Sequence, residues 1–344
     1  MKAMILNGTS RLQDEPAPLQ LVDDLPEPVP GVGELLLDVS VCGICHTDID
    51  EIEGRTPPSR LPMILGHQIV GSVRRTGSDA HRFDVGDRVG VAWIHSACGR
   101  CQFCREGKEN LCPEFAATGR DAPGGYCQQT VVPQEFAHRI PDVFSDAEAA
   151  PLLCAGAVGY RALRLTGMED GRALGLVGFG ASAHLVIQAA RQKYPDAKLF
   201  VFSRSEGERD FARELGADWA GAIDEEPPQP LDCAIDTTPA WSPIVTTLAK
   251  LAPGGRLVIN AIRKEDADKD ALLALDYSRH LWLEKEVISV ANVTRQDVSE
   301  FLRLAAEIPL KPRVQEFALE RANEALQEIR QRRIRGGKVL RIGS

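Results

Sequence analysis

Over the first 145 or so residues the apolar positions come in short alternating or β-branched bursts: Glu34-LLLDVSV, Gln68-IVGSV, Asp87-RVGVAW and Tyr126-CQQTVV. Turn-forming stretches such as PEPVPGVG and RTPPSRLP separate them. Period-two runs bounded by Gly and Pro predict a compact domain of many short strands. From residue 146 the period lengthens. SDAEAAPLLCAGAVGYRALRLTG reads as helix, with Ser145 three residues before Glu148 at capping-box spacing. Strands and helices then alternate: ALGLVGFG, ASAHLVIQAARQK, KLFVFSR, GERDFARELGA, LDCAIDTT, PIVTTLAKLA and GGRLVINA. That alternation predicts parallel strands joined by crossover helices. Residues 290–344 return to mixed structure, with helices over 296–308 and 319–332 and a last strand over 338–342. The expected division is therefore 1–145, 146–289 and 290–344, an α/β chain whose last part rejoins the first.

The 344 residues carry 40 Lys+Arg against 49 Asp+Glu, a net charge of −9. Phosphate backbones need a basic face, so this balance argues against a nucleic-acid partner. No apolar run approaches the roughly 18 residues that span a bilayer, and the opening MKAMILNGTSRLQDEP has no secretory core. A cytoplasmic setting is expected, and there nine cysteines point to metal, catalysis or burial rather than disulfides.

Four of them, Cys98, Cys101, Cys104 and Cys112, fall within fifteen residues. Two C-x-x-C steps wrap a loop around an ion and the fourth thiol closes a tetrahedral cage. With every position filled by sulfur, the site has no room for substrate, and its expected role is structural zinc. An iron–sulfur cluster would use the same ligands.

Gly178-Phe-Gly180-Ala181-Ser182-Ala183 follows an apolar strand and opens an apolar helix. Gly178 permits the tight turn, Gly180 lets the backbone approach a pyrophosphate, and the small Ala183 lets helix and strand pack closely. The helix N-terminus offers amide donors to the phosphates. At the end of the next strand an NAD enzyme usually carries an acid for the ribose hydroxyls. Ser203 and Arg204 stand there instead, a pair suited to a 2′-phosphate. NADP(H) is expected over NAD(H).

Cys45-His46-Thr47-Asp48 closes a strand, Gly66-His67-Gln68 follows some twenty residues later, and Cys154 lies in the apolar helix. Two thiolates and one imidazole leave a fourth zinc position open for a substrate oxygen.

With Cys45-HTD, Gly66-HQ-IVG, the four-Cys lobe, Gly124-GYCQ, Cys154 and Gly178-FGASA in this order, the chain resembles the zinc-dependent alcohol dehydrogenases of the medium-chain dehydrogenase/reductase superfamily. The resemblance covers essentially the whole length, and the APLLCAGAVGYRAL and GFGASAH segments look closest to a bacterial branch. It implies a GroES-like β domain with an inserted Rossmann domain, two zinc ions per chain and hydride transfer between an alcohol or carbonyl and a nicotinamide cofactor. It also implies a homodimer or homotetramer paired through nucleotide domains, with Val287-ISVANV a candidate pairing strand.

Carried over by position, Cys45, His67 and Cys154 hold the catalytic zinc, while Cys42 packs against its strand. Thr47 bonds the substrate oxygen and passes its proton on, and Asp48 accepts from a His67 ring N–H. His46 and Arg335 reach toward the pyrophosphate. Trp93 and Ile94 line the substrate pocket. Two positions depart from the pattern: Asp50 stands where many relatives end the proton relay with His, and Gln68 where they carry Glu. Two other readings fit parts of the sequence: a zinc-free quinone or enone reductase, and a non-enzymatic NADP(H)-binding zinc sensor.

Overall fold

The computed structural model describes residues 1–308, 310–331 and 336–343. Its contacts separate two compact units, Met1–Ala157 with Val293–Ala306 and Lys311–Ser344, and Val158–Asn292 with Glu307–Leu310.

The first unit is built on a sheet whose spatial order is Ala137–Arg139, Arg88–Val91, Gln68–Thr76, Glu34–Ile44, Gly337–Arg341, Val314–Ala318. Gln129–Pro133 pairs with the early half of Glu34–Ile44. A smaller sheet places Ala3–Leu6 between Leu19–Val22 and Met63–Ile64. Alternation along the strands turns Leu35, Leu37, Val39, Ile69, Val73, Val89 and Val91 into one core. The helix Ala322–Arg330 closes that core with Ala322, Ala325, Leu326 and Ile329. The late strand Gly337–Arg341 pairs antiparallel with Val41–Ile44, so the return of the chain is written into backbone hydrogen bonds.

The second unit is a six-stranded parallel sheet: Ala173–Val177, Lys198–Phe202, Trp219–Gly221, Leu231–Asp236, Leu251–Ile259 and Glu286–Ser289. Numbered along the chain, the strands lie in the spatial order 3-2-1-4-5-6, that of a Rossmann fold. The first strand is buried along its whole length, as expected when both faces of a parallel sheet are covered.

Two expectations need correction. Residues 146–165 do not form one helix. The capping box at Ser145 is present, but the helix Asp146–Ala149 passes into a 3₁₀ turn, Ala150–Leu153, and restarts at Ala155–Leu165. Pro151 has no N–H to continue the ladder, and Cys154 breaks helical geometry at φ −127°, ψ −80°. The first unit also runs to 157 rather than 145. Arg88 Nε lies 2.6 Å from Asp146, and Leu153 occupies the space above Gly90, so this segment belongs to the β unit by packing.

The helix Arg295–Glu307 is held to the same unit by Phe301, fully buried against Gly156, and by Ser299, whose hydroxyl lies 3.0 Å from His138 Nδ1. Burial, aided by Arg82 and Arg295, pushes the His138 imidazole down to about 3. The folded chain thus refuses a proton that the unfolded chain accepts. Its contribution to stability is complete above the ordinary imidazole value of about 6.5 and is lost as pH falls from there toward the folded value. Urea midpoints of the wild type should decline with acidification below about pH 6.5, and His138→Gln should flatten part of that decline. Parallel curves for the two proteins would contradict the assignment.

Candidate active site and dinucleotide turn

In the central sheet Gly43 lies opposite Gln68. The residues just beyond that pair, Cys45 and His67, therefore emerge at the same sheet end. Gly66 makes the approach possible: it sits at φ +95°, and a Cβ there would fall 2.4 Å from the Tyr126 ring and 2.8 Å from Cys42 Sγ. Cys45 caps the helix His46–Ile52, its sulfur accepting the Thr47 N–H at 3.4 Å. The Asp48 carboxylate closes the box by accepting the Cys45 N–H at 2.7 Å.

Cys154, displaced from helical geometry, completes the set. Ligand atoms of Cys45, His67 and Cys154 lie within 4.8 Å of one another, with Cys45 Sγ 3.4 Å from His67 Nε2. His67 Nδ1 faces Asp48 Oδ1 at 3.6 Å, both side chains being fully buried. The Cys154 thiol and burial hold the Cys45 thiol well above its ordinary range. Burial works to lower the His67 pKa, but Cys45 and Asp48 outweigh it and hold the ring well above its usual value. Two thiols and an imidazole converging in this way are the donor set a zinc ion takes, with the thiols as thiolates.

Of the residues expected around this set, Thr47 is 7% exposed and His46 lies on the surface. Trp93 is half-buried. Its ring has the Arg120 guanidinium 5.1 Å from its centroid and the Phe115 ring at 5.1 Å. Ile94 is fully buried in the short strand Ile94–Ser96, so it presents no open face to a pocket. Asp50 is buried and paired with Arg55 at 2.7 Å. Gln68 is buried with its side chain over Gly43. Cys42 is fully buried in its strand. The polar string TDIDEIE gave no hint that Glu51 would be buried as well. Burial, then Asp48, pushes its carboxyl up to about 8, while His67 and the Trp93 N–H pull the other way.

The second cluster lies in the lobe. Cys98, Cys101, Cys104 and Cys112 bring their sulfurs within 4.8 Å of one another. Backbone N–H groups point inward at them: Cys98 to Cys112 Sγ at 3.4 Å, Cys101 to Cys98 Sγ at 3.4 Å, Cys104 to Cys101 Sγ at 3.5 Å. Backbone N–H groups of Arg100 and Cys101 pull Cys98 down to about 7. Donors aimed at sulfur favour the thiolate, the form that binds metal. The buried Glu109 ties the lobe to the late helix by accepting the Arg295 N–H at 2.9 Å.

In the second unit Gly178 ends its strand at φ +82°, where a Cβ would meet Thr237 Oγ1 at 2.7 Å. Gly180 faces open space, with nothing within 4 Å of where its Cβ would stand. The turn runs through Ala181 and Ser182 into the helix Ala183–Lys193. An open turn at a helix N-terminus fits a dinucleotide pyrophosphate. At the end of the neighbouring strand Arg204 is exposed, whereas Ser203 is 5% exposed and its hydroxyl donates to the Glu208 carboxylate. The sequence reading did not bring Glu208 to this corner. Arg335 lies outside the described residues.

Comparison with known proteins accords with this geometry. A family model for the alcohol dehydrogenase GroES-like domain matches residues 31–142. A probable alcohol dehydrogenase, AdhA, of Mycobacterium tuberculosis is 42% identical over 320 residues, covering 92% of this chain and 90% of that protein. An alcohol dehydrogenase of Geobacillus stearothermophilus is 29% identical over 351 aligned residues, 99% of each. The crystal structure of an NAD-dependent alcohol dehydrogenase matches with a TM-score of 0.88 at 25% identity, covering 100% of both chains.

Proposed function

This chain belongs to the alcohol dehydrogenases of the medium-chain dehydrogenase/reductase superfamily, and from that premise we propose how its own residues share the reaction, which cofactor it prefers and how it assembles. It is an NAD(P)-dependent oxidoreductase acting on alcohols. The observation that carries the assignment of roles is the convergence of Cys45, His67 and Cys154 from three separate stretches of chain.

Those three residues hold the catalytic zinc, which when bound supplies a Lewis acid to the substrate oxygen. The nicotinamide, when bound, exchanges hydride with the carbon bearing that oxygen. Thr47 lies two residues from the ligand Cys45 and supplies the hydroxyl that takes the substrate proton. Asp48 orients the His67 ring and, through the Cys45 N–H, the cap that aims the sulfur. Trp93 walls the pocket, its indole held between Arg120 and Phe115. A zinc-free reductase would have no use for a buried two-thiol, one-imidazole set. The substrate is a small alcohol or the corresponding carbonyl compound.

Gly178, Gly180, Ala181 and Ser182 cradle the pyrophosphate. Arg204 selects NADP(H): it is exposed at the strand end, and the strand itself carries no acid there. The Cys98, Cys101, Cys104 and Cys112 set holds a second, structural zinc. No helix among the described residues is long and apolar enough to cross a membrane. Nine cysteines, all free, suit a cytoplasmic setting.

Assembly into a dimer or tetramer is supported by the edge strand Glu286–Ser289, which pairs with Arg256–Ile259 on one side. Beside it Tyr277, Trp282, Leu283 and Val287 are 63%, 54%, 50% and 41% exposed. An edge with apolar neighbours favours pairing with a second copy.

Metal analysis should find about two zinc ions per chain, falling to about one in Cys154→Ser, with a loss of about a thousand-fold or more in turnover. Full metal and full rate in that variant would overturn the ligand assignment. For the cofactor, Arg204→Ala should lower kcat/KM for NADPH by about ten-fold, the worth of one charge-assisted contact, and leave NADH nearly unchanged. A wild-type preference for NADH would refute the selection. Sedimentation of a Trp282→Glu, Val287→Lys variant should show smaller species than the wild type; an unchanged mass would place assembly elsewhere.

A further inference from the structure

Among the described residues of the nucleotide unit, Lys264 and Asp236 form a buried charged cluster that none of the roles above uses. Lys264 Nζ donates to the Asp236 carboxylate, to the Thr238 carbonyl at 2.8 Å and to the Ala240 carbonyl at 3.0 Å. All three ammonium donors are thereby spent. The other Asp236 oxygen accepts the Thr238 hydroxyl at 2.8 Å and the Thr238 N–H at 3.3 Å. The side chains are 8% and 0% exposed. Burying an ion pair this completely costs desolvation that an apolar pair would avoid, so its net gift to stability is small. What it adds is registry: it fixes the loop after the strand Leu251–Ile259 to the carboxyl end of the strand Leu231–Asp236.

That place is informative. Thr237 donates N–H and hydroxyl to the Val177 carbonyl, at 2.9 and 3.0 Å, and its oxygen fills the space that a side chain at Gly178 would take. Asn260 donates its N–H to the Asp236 carbonyl at 2.7 Å and its amide to Ser182 Oγ at 3.3 Å. Its own Oδ1 is buried with no partner among the described residues. In the 3-2-1-4-5-6 order a dinucleotide lies across the carboxyl ends of the strands. Ser203 and Arg204, at the end of the second strand, serve its adenosine half. The ends of the fourth and fifth strands, where Asp236 and Asn260 stand, then serve the nicotinamide half.

We propose that Lys264 is a positioning residue for the nicotinamide half of the cofactor, stapling residues 260–264 to Asp236 and the 238–240 turn so that the wall beside Gly178 and Ser182 is formed before the cofactor arrives. The inference rests on the dinucleotide reading of the Gly178 turn. None of the Lys264 bonds involves Ser203 or Arg204 at the adenosine corner. Loss of the staple therefore weakens only ligands that carry the second ring.

Binding of NADH and NADPH, followed by nicotinamide fluorescence, is compared with binding of ADP-ribose and 2′-phospho-ADP-ribose, followed by calorimetry. Lys264→Met should weaken the dinucleotides by about ten-fold, the loss of one or two well-made hydrogen bonds, and the ring-less ligands less than about two-fold. Because Lys264→Met strands a buried carboxylate, the charge-free pair Asp236→Asn, Lys264→Met is measured beside it and should show the same selective loss. Equal weakening of both ligand classes in the paired variant, or no change in either, would overturn the staple. Wild-type protein that binds neither class would overturn the dinucleotide reading instead.

Discussion

The pairing of Gly43 with Gln68 is the constraint on which the active centre depends. A shift of one residue would turn every side chain of one strand to the opposite face. Register here is held by the core residues Leu35, Leu37, Val39, Ile69 and Val73 of the two strands and by Gly66, whose missing side chain lets Tyr126 and Cys42 close in. With the register set, Cys45 and His67 have little freedom left. Cys45 both caps a helix and offers its sulfur, and Asp48 both completes that cap and faces the imidazole. Each side chain thus has two reasons to stand where it does, and a metal ion meets ligands already oriented. Such preorganisation keeps a site within the few tenths of an ångström that catalysis needs.

Local features were the legible ones. The four-Cys lobe and the glycine turn are short in sequence, and their spacing alone carries their chemistry. The capping box at Ser145 was readable for the same reason. Cys154 was not readable by spacing: an apolar-helix cysteine is ordinarily packing, and only its family resemblance marked it. The structure adds the reason it can serve, because Pro151 interrupts the helix just ahead of it. The periodicity of residues 146–165 concealed that break, since a helix, a 3₁₀ turn and a second helix bury nearly the same positions. The unit boundary was misplaced on the same ground. Texture changes at 146, but packing against Arg88 and Gly90 keeps the chain with the β unit for another dozen residues.

Side-chain pairs between loops were invisible. Nothing in LDCAIDTT or NAIRKED announces that Asp236 and Lys264 will neutralise each other 28 residues apart. Glu208 is similar. A strand ending in Ser203 and Arg204 reads as free to meet a phosphate, yet the serine hydroxyl is engaged by a carboxylate from the following helix. Arg209 adds a donor to the Ser203 carbonyl at 2.8 Å, which stiffens the turn and brings a second positive charge close to it. At this corner stand the exposed Arg204 and, bonded to Ser203, the Glu208 carboxylate. An exposed cation opposed by a nearby anion discriminates by roughly one order of magnitude, not several.

The same logic bears on Asp50. Asp50 stands where many relatives carry a histidine, and the chain has given it another task. It is 1% exposed, and the Arg55 side chain reaches it at 2.7 Å. Arg55 is itself anchored by Glu53, the residue that ends the helix, so the pair also fastens the helix end. The Asp50 carboxylate is thus engaged in holding the end of that helix.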